Sequence, residues 1–206
     1  MTVRCVEVSS PYRVERVRLL GCGRWLMAVL LLISLPVLSD DVPEPEGYWT
    51  GPVNSEVPHT VTGGTVIHTQ GLAGLLKAGD TLLIDVSNAP VRPSGLAPEA
   101  TWLPLPHDSI PGSLWIPGAG QGNVAPDVEQ HFTALLAQKS AGNLDQPIVI
   151  YCHERCWLSW NAAKRAIRLG YRHVYWLPEG IEGWRTDGFK TEVVQPQEPR
   201  GDGIKK

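Results

Sequence analysis

TLLIDV (81–86) and QPIVIYC (146–152) are short, uninterrupted apolar runs, and they constrain this chain more than any other feature. A strand with no polar alternation must be covered on both faces, which is the situation of a parallel strand inside an α/β sheet. HVYWL (173–177) reads as a third strand and TVIHT (65–69) as a short one. Helical periods lie between them: QGLAGLLKAG (70–79) ended by Gly79, DVEQHFTALLAQKS (127–140) started by Asp127 after Pro126, and LSWNAAKRAIRLG (158–170) stopped by Gly170. Strands alternating with helices predict an α/β fold, a central parallel sheet with helices on both faces.

The remaining segments are irregular. Residues 40–64 form an extended, proline-punctuated lead-in that Tyr48 and Trp49 are expected to pin to the core. From Ser87 to Pro126 the chain is proline-dense, with SLWIPG (113–118) as a brief strand and turn and Trp102 and Trp115 packing over something. A connection this long in a compact domain is usually functional or disordered. The polar end, 191–206, is expected to be a mobile tail. With 206 residues, 43% hydrophobic and 19% charged, the chain suits one domain, placed here at 65–190.

Residues 1–39 read as an export signal. Arg4, Arg13, Arg16, Arg18 and Arg24 precede the apolar run WLMAVLLLISLPVL (25–38), which is shorter than the ~20 residues a bilayer span needs. Pro36 and the small Ser39 before two aspartates fit cleavage after Ser39, and the alternative is a retained membrane anchor facing the periplasm. The leader takes five of the 18 basic and two of the 21 acidic residues, so the rest carries a formal net charge of −6. An acidic exported domain is a poor candidate for nucleic acid or anionic lipid.

Without Cys5 and Cys22 the exported chain keeps two cysteines, Cys152 and Cys156. Cys152 stands where a strand gives way to a helix, and in α/β sheets ligands gather at the carboxyl ends of strands. Backbone N–H groups of the loop and first helical turn lack intrahelical partners and are expected to converge there, stabilising a thiolate and lowering its pKa. Two other readings stay open: a buried, inert cysteine ending a strand, and a permanent disulfide of the kind an oxidising compartment favours. Metal binding by Cys152, Cys156 and His153 is disfavoured, because no second ligand cluster has zinc spacing. Haem attachment needs two residues between the cysteines and a histidine after them, whereas three residues and Trp157 stand here. Trp157 and Trp160 are either a roof over the sheet edge or an exposed aromatic platform, and His107 and Arg92 are candidate anion contacts.

TLLIDV, DSIPGSLWIPG, IVIYC, the RLGY helix end and HVYWLPEGIEGW together resemble a single rhodanese domain over roughly residues 65–186. More narrowly, YCHERCWLSWNAAKRA with YWLPEGIEGW resembles the exported rhodanese-like proteins named for a cysteine-pair-tryptophan motif and associated with pyrroloquinoline-quinone (PQQ)-dependent catabolism of alcohols. That resemblance implies a persulfide-forming nucleophile at Cys152, in an active-site loop of His153, Glu154, Arg155, Trp157, Leu158 and Ser159; because a nearby thiolate can attack a persulfide or close a disulfide, Cys156 is its candidate resolving cysteine. It matches Asp85 to a structural carboxylate, Gly112 to the IPG turn, and Gly183 and Trp184 to a glycine-rich segment before the final helix. No bound cofactor is implied. The partners it implies are a periplasmic quinoprotein dehydrogenase, a cytochrome or an alcohol-transport component.

The loop departs from a sulfurtransferase loop: it lacks glycine, is one residue longer, and holds a second cysteine and a tryptophan. It is not a phosphatase loop either. The sixth position after Cys152 is Leu158 where an arginine would clasp phosphate, and Glu154 repels anions. The leading expectation is sulfane-sulfur or thiol–disulfide chemistry at Cys152 with Cys156 resolving, and its alternative is a non-catalytic accessory module locked by a Cys152–Cys156 disulfide.

Overall fold

The computed structural model describes residues 41–197. The export-signal reading of 1–39, with Cys5, Cys22 and the cleavage site, and the tail beyond Gln197 lie outside the described residues. The elements in chain order are β1 (Thr65–Val66), α1 (Thr69–Ala78), β2 (Leu82–Asp85), β3 (His107–Ser109), β4 (Ser113–Trp115), α2 (Pro126–Lys139), β5 (Ile148–Tyr151), α3 (Trp157–Arg168), β6 (Val174–Leu177), α4 (Gly180–Thr186) and β7 (Glu192–Val194). Five of the strands form one sheet, ordered β1-β6-β5-β2-β4, and every pairing in it is parallel.

The uninterrupted apolar runs are buried as their composition requires. Ile84, Ile148, Ile150, Val174 and Trp176 pack on one face with Phe132 and Leu136 of α2 and Trp160 and Ala163 of α3. Their neighbours Leu83, Val149, Tyr151 and Leu177 pack on the other with Leu72 of α1 and Ile181 and Trp184 of α4. Period-two alternation thus splits one apolar run between two cores, and the expected parallel sheet with helices on both faces is what forms.

β5 is the middle strand. From β2 the chain moves outward to β4, whereas from β5 it moves the other way to β6. The loops leaving β2 and β5 therefore diverge, and the crevice between them is the switch point where α/β sheets place ligands.

Three local readings are corrected. PEGIEGW (178–184) is not a lead to a later helix; it carries most of α4 itself, which runs from Gly180 to Thr186. The helix after the cysteines starts at Trp157 with Cys156 as its N-cap, one residue earlier than Leu158. The chain past 191 does not begin as a free tail: Glu192–Val194 pairs antiparallel with His107–Ser109, and Gln197 N–H donates to Trp115 O at 2.7 Å. Strands of three residues in proline-rich surroundings, joined across about 80 positions of sequence, carry no local periodicity that would announce them.

Candidate functional site

Cys152 leaves the end of β5 and is fully buried, with Cys156 only 2% exposed. The two are joined as a disulfide whose Cα atoms stand 6.4 Å apart, inside the range such a bridge spans without distorting the backbone. Between them His153, Glu154 and Arg155 bulge into solvent. Arg155 takes a left-handed conformation, φ 52°, which a non-glycine residue adopts at some energetic cost. Its guanidinium pairs with Glu56 at 3.2 Å and lies 3.9 Å from Glu154.

The loop's backbone amides do not form an open cradle. Glu154 N–H donates to Glu182 Oε2 at 2.9 Å, and His153 Nδ1 lies 2.7 Å from Glu182 Oε1. Trp157 N–H donates to Val53 O at 2.9 Å, and Ser55 N–H returns a bond to Arg155 O at 3.1 Å. Two amides that the anion-cradle expectation needs are thus engaged by a carboxylate and by the lead-in. Burial pushes the Glu182 carboxyl upward, but the bonds from His153 and Glu154 outweigh it and hold the group below its ordinary value. Glu182 is therefore ionised at neutral pH and sets its charge against the loop's backbone.

α4, which carries Glu182, also closes on the loop through its backbone: Ile181 N–H donates to Cys152 O at 3.0 Å. The approach is close. A Cβ on Gly180, whose φ is 56°, would lie 2.5 Å from Cys152 O, so glycine is required there.

The aromatic pair is a roof rather than a platform. Trp157 and Trp160 are 1% and 0% exposed. Trp157 stacks on Trp49 at 4.4 Å and meets Trp160 edge-on at 5.4 Å, and its Nε1 donates to Ser55 Oγ at 2.9 Å. Leu158 and Ser159 are also buried. Ser159 Oγ donates to Cys156 O and accepts from Trp176 Nε1, each at 3.0 Å. Of the loop residues expected at a site, only His153, Glu154 and Arg155 meet solvent. The clefts beside them, about 450 and 360 Å³, are lined by Glu56, Arg155 and Pro178 on one side and Glu182, Thr186 and Asp187 on the other, with Glu154 and Glu179 shared. Neither is lined by a cysteine.

His107 and Arg92 take no part in this loop. Arg92 Nη2 donates to the carbonyls of Ala97 and Pro98 within its own connection. His107 Nε2 lies 2.8 Å from Asp85 Oδ2, which also accepts from Ser109 Oγ, while Ser87 N–H donates to Asp85 Oδ1 at 2.9 Å. Burial alone would raise the Asp85 pKa, yet the bonds from His107 and Ser109 and from Ser87 hold it below the usual value. Among the described residues no group of three or more His, Cys, Asp or Glu side chains is placed to hold a metal ion.

Several residues that shape the site have no motif in the sequence. Glu182 approaches from 29 positions away and Val53 from about a hundred. Asn161 binds the lead-in through both amide atoms, accepting Trp49 N–H at 2.8 Å and donating to Trp49 O at 2.9 Å and Gly120 O at 3.0 Å. The one available signal was the tyrosine–tryptophan pair in the lead-in; Tyr48 lies 4.3 Å from the buried Arg165 and 4.5 Å from Arg168.

A family model described as "Rhodanese-like domain" matches residues 69–187. Among curated proteins none matches significantly in sequence. Similar solved structures include BH2092 from Bacillus halodurans, 22% identical over 63% of this chain and 77% of that one, with a TM-score of 0.41. A thiosulfate sulfurtransferase from Pseudomonas aeruginosa is 19% identical over 65% of this chain and 21% of that one, with a TM-score of 0.41. The polysulfide-sulfur transferase homodimer of Wolinella succinogenes is 15% identical over 68% and 85%, also with a TM-score of 0.41.

Proposed function

The chain belongs to the rhodanese-like domain family, and from that premise we propose that it is a rhodanese-fold accessory module whose nucleophile loop is closed by a structural Cys152–Cys156 disulfide. One observation carries the reading: both sulfur-bearing residues are buried in the oxidised state, 0% and 2% exposed. Persulfide chemistry needs an exposed thiolate with amides to support its charge. Here the thiol is consumed in a bridge, and the Glu154 and Trp157 amides are taken by Glu182 and Val53. The carboxylates of Glu154, Glu179 and Glu182 around the loop also oppose an incoming anion such as thiosulfate.

A second reading is sulfur transfer or thiol–disulfide exchange by the reduced form. It is favoured by the bridge's place at the carboxyl end of the central strand, where chemistry is usually sited. An external dithiol would be oxidised while the bridge accepted its two electrons and two protons as thiols. Once reduced, the Cys152 thiolate would attack the outer sulfur of thiosulfate, releasing sulfite and keeping a persulfide, and Cys156 would attack Cys152 Sγ, re-forming the bridge and releasing hydrosulfide.

The setting we propose for either reading is the periplasm, beside a PQQ-dependent quinoprotein dehydrogenase, a cytochrome or an alcohol-transport component. Its support is the resemblance of YCHERCWLSWNAAKRA to that exported group and the arginine-led apolar leader.

Sulfur transfer from thiosulfate to cyanide separates the readings. It is measured on the protein as isolated, after reduction, and for Cys156→Ser. The module reading expects no turnover above buffer in any of the three. A persulfide trapped on Cys152 in Cys156→Ser, with turnover after reduction, overturns it in favour of the second reading.

A further inference from the structure

A third cleft, about 360 Å³, opens beside the proline-dense connection, where β3 and β7 meet the end of β4. Its walls are Pro104, Leu105, Pro106, Trp115, Val194 and Pro196, and two polar residues, His107 and Gln195, line it. None of these residues belongs to the cysteine loop. We propose that this cleft is a binding site for a small aromatic ligand bearing a single hydroxyl group, held by His107 Nδ1.

The imidazole's orientation decides which of its nitrogens a guest can reach. His107 lies flat against Trp115, ring centroids 3.9 Å apart and 20° from parallel, which fixes its plane. Its Nε2 faces Asp85 Oδ2 at 2.8 Å, and Asp85 is itself 1% exposed and held by Ser109 and Ser87. An ionised carboxylate only accepts, so Nε2 carries the proton on that bond. Among the described residues His107 Nδ1 makes no hydrogen bond, and the ring side chain is 14% exposed. A buried carboxylate has thus oriented one imidazole so that a single nitrogen is left for a guest.

The walls select the rest of the guest. A mostly apolar lining with a few polar groups, here His107 and Gln195, is the composition of small-molecule sites, and the volume lies in their range. A second carboxylate would be repelled by Asp85 behind the ring, and an ammonium would lose its hydration against proline and leucine. A hydroxyl both donates and accepts, so it suits Nδ1 in either protonation state of the ring. The proline rings offer flat apolar faces, which an aromatic body covers well. Leu105 at the mouth is 85% exposed and Val193 beside it 56%, apolar surface that a ligand of this kind would cover.

The test uses the full chain with 4-methylphenol as probe and toluene as its hydroxyl-free counterpart, following the Trp115 indole and His107 ring resonances. Saturable shifts with 4-methylphenol, at an affinity about tenfold above toluene, are expected for one hydrogen bond to a positioned group. His107→Phe keeps the stack on Trp115 and should erase the difference between the probes. Leu105→Asp, at an exposed position that folding does not use, should weaken both. Absence of saturation at millimolar probe, equal affinity for the two probes, or affinities indifferent to Leu105→Asp would each overturn the proposal. These outcomes do not depend on the state of the cysteines.

Discussion

Asp85 shows, at the scale of one residue, how burial and hydrogen bonding compete over a charge. Its site strips away water, yet His107, Ser109 and the Ser87 amide replace that water with fixed donors, and the charged form wins. A carboxyl whose folded pKa is depressed contributes stability that is present above the unfolded value and lost as pH falls through the folded one. Asp85→Asn should therefore cost about 2–3 kcal/mol at neutral pH, because it opposes donors with an amide N–H. The gap between wild type and variant should narrow in acid, as urea unfolding at the two pH values will show; a gap independent of pH would contradict this account. Glu182 works at the loop by the same means, holding Glu154 N–H and His153. Glu182→Ala should speed reduction of the disulfide by dithiothreitol several-fold without changing the sheet, read by alkylation and mass spectrometry; an unchanged rate would mean that the loop is held by other contacts.

Among the elements, the lead-in has the most influence on the site. It lies over α3 instead of hanging from the sheet edge. Asn161 on α3 pairs with both polar backbone atoms of Trp49, the Trp49 ring stacks on Trp157, and Val53 takes the Trp157 amide. Asn161→Ala leaves the Trp49 and Gly120 backbone groups without partners and should cost about 2–3 kcal/mol, with hydrogen exchange at Trp49 N–H rising more than exchange in β5. Gly122 gives a sharper test, since a Cβ there would lie 2.0 Å from Trp49 O. Gly122→Ala should loosen the 49–55 strap and quicken disulfide reduction while the strands keep their protection. Equal loss of protection in strap and sheet would show that the lead-in is not a separable element.

For the whole molecule, the legible parts were those written as local period. TLLIDV and QPIVIYC declared themselves buried strands by their continuous apolar runs and HVYWL a third strand, and the intervening 3.6-residue periods declared helices on both faces. The cysteine pair was legible as a location, the end of the central strand. Its state was not, because burial of Cys152 depends on Val53, Glu182, Trp49 and Gly180, which are distant in sequence and share no motif with it. The β3–β7 pair was illegible for the same reason: three residues at each side carry too little pattern, and the pairing is decided by where Trp115 and Gly112 already lie.

The central claim is that the Cys152–Cys156 bridge is a buried fastening of the loop, worth about 2 kcal/mol if it acts by limiting a five-residue ring in the unfolded chain. The most direct test is the rate at which dithiothreitol reduces the native protein as urea is raised towards the unfolding transition. A shielded bridge reacts only when the structure opens, so the rate should be slow in buffer and rise with the unfolded fraction. Reduction within seconds in buffer, at a rate indifferent to urea, would contradict the account and restore Cys152 as an accessible redox centre.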